Sequence, residues 1–477
     1  MTPRPLWAVP MVLVALAAGG IELGRSHSAG SAAWAVLAGL IAAAVAGLAA
    51  SLPRVDWRGL VFGGLFVGAG ILSWTFTDRP VVVWSVLLVE GALFVVWSWP
   101  WLANLRTGVR MGTSWLGTSY WLLGVIGALL MLHAGMAAQR LLYAGVFGLA
   151  VLAVLAKSRG HEHGRDLSVG VVAAFLVAIA VLLLVGSGNL FQDVHTVPAN
   201  AWGKGFQYRF WGGPWLLYHP NSIAGVGVLI ALRIGPDKAF TAAQRVAATA
   251  LAAFLVTVTN SRTGFIFLFA AAVLHAIALW WRPIYPATRT RLVAAAVPFV
   301  ALALVLVSAH GVQFLTQERY GSDAGVTSGR LDTWKQVLTD FKHAGVVEKA
   351  FGDTSSVRST VTRVSSGTDI KLTVDNALFG ALRHGGILGV LAFLIGLGLL
   401  LWNVWRRRDS VPTWFVLAVI SALPTIATTE WLLGGTGGTM WILLVAGEAY
   451  LIAAPSSPAP RRAPAPAPVA GAPRTGT

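Results

Sequence analysis

The chain has 477 residues, of which 56% are hydrophobic and 11% charged, and carries a formal net charge of +16 at pH 7. Its mean hydropathy of +0.71 is too high for a string of soluble domains, and the absence of cysteine excludes disulfides and thiolate metal sites. The basic residues are scattered through short connections instead of forming one stripe, so the charge does not point to nucleic acid.

These features predict an all-α, polytopic integral membrane protein. Apolar runs of about 17 to 22 residues recur from end to end, each long enough to cross a hydrocarbon core of roughly 30 Å, and we expect about 12 to 14 spans. The first, near residues 5 to 23, lacks a small-x-small cleavage site and reads as a retained span. In chain order, 1–187 reads as the N-terminal spans, and 188–309 as central spans opened by an extracytoplasmic loop at 188–218. A long extracytoplasmic loop follows at 310–375, then C-terminal spans at 376–454 and a Pro/Ala-rich cytosolic tail at 455–477 that cannot bury a core.

Loop charge sets the orientation. With Arg4 in the cytosol, the alternate connections at 53–58, 102–114, 157–167, 233–245, 282–291 and 406–410, together with the tail and Arg4 itself, hold 20 of the 35 Lys and Arg. The opposite short connections at 24–30, 78–80, 136–140 and 260–263 hold one each, the asymmetry that the positive-inside rule requires. Both termini are then cytosolic and the two long loops face outward.

Ionisable groups at membrane depth are costly, so polar residues at span ends on the outer face are the candidates for chemistry. The stretch "GKGFQYRFWGGPWLLYHPNSIAG" brings Lys204, Arg209, His219 and Asn221. Pro220 suits a first helical position with His219 or a nearby polar residue as cap, which accounts for the motif as a helix start. A helix entering the membrane from outside would also turn its free amides and positive dipole end toward an external anion, with the Arg209 guanidinium as a further donor. In "TNSRTGFIF", Arg262 occupies a minimal turn beside Asn260 and Ser261, on the side basic residues avoid. It either snorkels to the interface or faces a phosphate.

In the long loop, "SGRLDTWKQVLTDFKHAG" repeats Leu331, Trp334, Val337, Leu338 and Phe341 at helical spacing, predicting a short amphipathic helix over the outer membrane face. Arg330 and Trp334 fall on one helical face, so the guanidinium could stack on, or be positioned by, the indole; a surface pair with Asp332 accounts for Arg330 equally. In "TVDNALFGALRHGGILGVL", Asp375 and Asn376 precede an apolar run. Either suits a helix cap, and a carboxylate there could serve as a general base. Arg383 and His384, two turns on, read as site or pathway residues. "HEH" at 161–163 reads as a solvated loop, and "GGTGG" at 434–438 lacks the strand, Lys and Ser/Thr of a P-loop. Glu90 and Glu448 read as membrane-embedded acids, the hints of proton-coupled transport.

The stretches "YRFWGGPWLLYHPNSIAG", "NSRTG", "SGRLDTW" and "DNALFGALRHGGILG", in this order, resemble the bacterial O-antigen ligase and O-antigen polymerase superfamily over roughly residues 205 to 400. The Asp-Asn pair at 375–376 is similar to the exopolysaccharide-polymerase-like branch; the ligase branch carries His at that junction. The resemblance implies an all-helical, GT-C-like membrane glycosyltransferase, metal-independent, inverting and without cofactor, in the bacterial cytoplasmic membrane. Its donor would be an undecaprenyl-pyrophosphate-linked oligosaccharide, and its acceptor a sugar hydroxyl of a glycan or lipid-linked sugar at the extracytoplasmic face, among membrane lipids. Arg209 and Arg262 would grip the pyrophosphate, with Arg330 assisting or ordering the loop. Lys204, His219, Asn221, Ser261, Trp334, Asn376 and Arg383 would line the substrate, with Asp375 or His384 as the base. The reading from another class is a transporter or flippase of lipid-linked sugars, which would depend on Glu90 more than on the outer arginines.

Overall fold

The computed structural model describes residues 113–156, 191–193, 208–210, 220–234, 242–259, 261–281, 330–355, 360–365, 368–406, 413–428 and 431, with Val36, Ser85, Leu88, Val89 and Ala92 besides. The span near 5 to 23, Glu90, "HEH", Lys204, His219, Asn260, "GGTGG", Glu448 and the tail lie outside the described residues. Helices dominate what is described. In chain order they are α1 (Thr113–Leu130), α2 (Ala134–Ala156), α3 (Pro220–Ile234), α4 (Ala242–Val258), α5 (Arg262–Trp281), α6 (Arg330–His343), α7 (Val346–Phe351), α8 (Ala377–Arg406) and α9 (Thr413–Ala422), which continues as a 3-10 turn, Leu423–Ala427.

Two short antiparallel ladders complete the description. Strand β1 (Phe191–Asp193) pairs with β2 (Tyr208–Phe210), and β3 (Thr360–Ser365) with β4 (Thr368–Thr373). The second ladder was not expected from the loop's length, yet "TVTRVSSGTDIKLT" carries a usable signal. It is rich in β-branched residues and interrupted by Ser366-Gly367, the spacing of a two-residue hairpin.

One group of helices is built around α3. Every described side chain from Ile223 to Ile234 is buried, which fits a helix apolar on all sides that packs against α4, α5 and α9. The Arg233 guanidinium lies 5.0 Å over the Trp414 ring, so α9 begins beside the end of α3. Its 3-10 continuation packs on α5 and α8.

The other group packs α1 against α2, α7 and α8. Among the described residues, α8 is the helix long and apolar enough to cross a membrane, with a mean hydropathy of 2.4. Exposed apolar side chains run down one side of it: Ile387, Leu391, Leu394, Ile395, Trp402 and Trp405. It is broken at Gly386 (φ 62, ψ −159), a backbone region open essentially to glycine alone. Residues 387–406 beyond the break form a piece about 30 Å long at 1.5 Å per residue. The end of α7 fills the break. There Gly352 adopts φ 80 and ψ 178, and the Asp353 amide donates to the Arg383 carbonyl at 2.8 Å, serving an acceptor at the end of the first piece.

Candidate functional site

Two motifs far apart in sequence meet where α3 and α5 begin. The Ser261 hydroxyl accepts from the Gly264 amide at 3.0 Å, the bond of an N-cap to the third residue of its helix. The same hydroxyl donates to Asn221 Oδ1 at 2.9 Å, and both residues are buried. Arg262 is then the first residue of α5, one position beyond the cap, and its side chain is half-buried. The connection from α4 is as short as expected, with Val258 and Arg262 bounding it. Arg209 lies on β2, opposite Gln192 of β1, and β2 lies against α4. Replacing Ser261 with Ala removes the cap and leaves Asn221 without this donor. We expect a loss of about 1–2 kcal/mol of stability, read as a lower thermal midpoint of the purified protein in detergent; an unchanged midpoint contradicts the cap.

A second cluster stands at the start of α8. Asn376 is its cap: Oδ1 accepts from the Leu378 and Phe379 amides at 2.9 and 3.1 Å. Its Nδ2 donates to the Ala427 carbonyl of the 3-10 turn at 3.4 Å. That turn also packs on α5. Among the described residues, the starts of α3 and α5 are thus joined directly, and the start of α8 is joined to a turn that packs on α5.

Asp375 is not the cap and pairs elsewhere: Arg330 Nη2 lies 3.3 Å from Asp375 Oδ2, and the two side chains are 26% and 24% exposed. The alternative surface pair of Arg330 with Asp332 does not form; Asp332 instead lies 3.9 Å from Lys335. Helix α6 is present as expected from the spacing of its apolar residues. Its inner face rests on α8 through Val337, buried with Val374 against Trp334, Phe379 and Leu382. Trp334 does share a face with Arg330, but its ring stacks on Phe379 at 5.3 Å and its indole N–H donates to the Val374 carbonyl at 2.9 Å.

Arg383 and His384 take different roles. Arg383 reaches Asp340 of α6 at 3.1 Å and Asp353, just past α7, at 2.9 Å. Charge pairing at both ends thus straps α6 along the first turns of α8: Arg330 to Asp375, and Asp340 to Arg383. His384 is only 1% exposed. Its Nδ1 meets the Tyr120 hydroxyl at 3.1 Å, and the ring stacks on Tyr120 and meets Trp121 edge-on. It joins α8 to α1.

Sequence reasoning missed the partners of this strap. Arg140, read as part of a short connection, lies inside α2 and is fully buried. It donates to the carbonyls of Gly124 at 3.1 Å and Asp353 at 2.9 Å. Asp340 and Asp353 were visible only as acids in a long polar loop. No local pattern pairs them with a residue thirty or more positions away. Among the described residues, no three His, Asp or Glu come together as a metal cluster would need.

No protein-family model matches the chain, and no curated protein is significantly similar to it. Its chemistry rests on the residues at the helix starts. These are two buried caps, an arginine at the head of α5, and an arginine–carboxylate pair at the head of α8.

Proposed function

We propose that the chain is a polytopic membrane glycosyltransferase that moves a glycan from an undecaprenyl-pyrophosphate carrier to a sugar hydroxyl at the extracytoplasmic face. The observation that carries this reading is Asp375, partly exposed beside Arg330 and set just before the cap of α8. The apolar row exposed along α8, ending in Trp402 and Trp405 next to Arg406, supports a lipid-facing helix with an aromatic and basic end. Helices α3, α5 and α8 each start from a connection assigned to the outside.

In this reaction the acceptor oxygen attacks the anomeric carbon from the face opposite the pyrophosphate. The carbon–oxygen bond to the pyrophosphate breaks, the leaving group takes its electron pair, and the configuration inverts. Asp375 takes the acceptor's proton; its exposure favours it over His384, which packing encloses. Arg262 and Arg209 meet the charge growing on the leaving group, as guanidinium forks suit pyrophosphate oxygens. Arg383, held by two carboxylates, orders the strap, and Arg330 is the arginine paired with the base.

Arg262→Ala and Arg209→Ala are each expected to lower glycan transfer about 100-fold or more, while the protein still accumulates in the membrane. Polymer of normal length and yield in both variants overturns the reading. A defect confined to Glu90→Gln, with the arginine variants active, points to transport instead.

A further inference from the structure

Asp375 has φ 47, in the left-handed region that non-glycine residues seldom enter. Such a conformation persists only where the surroundings hold it, and here both neighbours are held. On one side Val374 is fully buried, and its carbonyl accepts the Trp334 indole N–H at 2.9 Å. On the other side Asn376 is buried, capping α8 and tied to Ala427. Between these two anchored residues the backbone at 375 turns left-handed, and the carboxylate meets Arg330.

We propose that Trp334 is a positioning residue for Asp375. Through the Val374 carbonyl it imposes the left-handed backbone that points the carboxylate out of the cap and toward the acceptor. The cost of that backbone is borne by the packing of α6 on α8. Trp334 therefore acts without touching substrate, and its indole N–H matters more than its ring area, because stacking on Phe379 would survive in a phenylalanine. The catalytic half of this inference rests on the glycan-transfer reading; the backbone half does not.

The test separates the two. Thermal midpoints of Asp375→Gly and Asp375→Ala are compared in the purified full-length chain. Both lose the carboxylate, but glycine accepts positive φ and alanine resists it. Asp375→Gly is expected to be the more stable of the pair; equal midpoints or the reverse order overturn the strained backbone, whatever the protein does. In glycan transfer, Trp334→Phe is expected to lower kcat about tenfold with KM within about twofold, because an interaction felt in the transition state alone is lost. A rise in KM at constant kcat, or no change in either, overturns the positioning role. If the wild-type chain transfers no glycan, the functional reading fails, and the order of the two midpoints still decides the backbone claim.

Discussion

Asp375→Asn is expected to reduce glycan transfer by about 10²- to 10⁴-fold, the range over which general acid–base catalysis contributes. Asparagine is nearly the same size, keeps an oxygen for Arg330 and tolerates left-handed backbone better than most residues. The change therefore removes the proton acceptor with little disturbance of the turn between Val374 and Asn376. The initial rate of product formation, at equal amounts of folded protein, measures it. A fully active Asp375→Asn would move the base to His384. That alternative makes its own demand: the ring, 1% exposed between Tyr120 and Trp121, would have to be uncovered before an acceptor hydroxyl could reach it.

Gly386→Val is expected to be the most disruptive single change to the fold. At φ 62 and ψ −159 the backbone lies in a region open essentially to glycine. A Cβ there would stand 2.5 Å from the Ala350 carbonyl oxygen and 2.6 Å from the Gly352 amide nitrogen. Both obstacles are backbone, fixed by the end of α7, and cannot rotate away as a side chain would. Backbone strain and overpacking together are expected to cost about 3 kcal/mol or more. The readout is loss of the monodisperse peak, or a much lower thermal midpoint, on fluorescence-detected gel filtration. Gly398→Ala is the control, since nothing lies within 4 Å of its Cβ; a glycine replaced inside a helix with room to spare should be neutral or mildly stabilising. Equal behaviour of the two variants would contradict the break.

What could be read in advance was local. Pro220 opens α3, and Arg330 opens an amphipathic helix whose Val337 and Trp334 face inward. Asn376 caps α8, because each of these signals is written within a few residues of where it acts. The short connection before Arg262 was legible for the same reason. The meeting of Asn221 with Ser261 was not, since forty residues separate them and periodicity says nothing about which helix starts adjoin. The Gly386 break was equally hidden. Two glycines in an apolar run are common in membrane helices, and only the arrival of Gly352 shows that this run is interrupted.

The site divides along the same line. Asp375 and Arg330 were chosen from residue type and position, and the fold pairs them. Arg383 was chosen on the same grounds, yet its partners Asp340 and Asp353 make it a tie between the strap and α8. Charge alone cannot separate an arginine that waits for a phosphate from one already satisfied by carboxylates. That difference lies in long-range packing, as does the burial of Arg140 against the Asp353 carbonyl.

The most direct measurement is turnover by the purified chain, reconstituted in lipid, of a defined undecaprenyl-pyrophosphate oligosaccharide with a sugar acceptor. The expected result is a lengthened or transferred glycan with inverted anomeric configuration, released undecaprenyl pyrophosphate in equal amount, and unchanged rates in the presence of a chelator. Failure to consume the donor, or a rate abolished by the chelator and restored by a divalent metal, would contradict it.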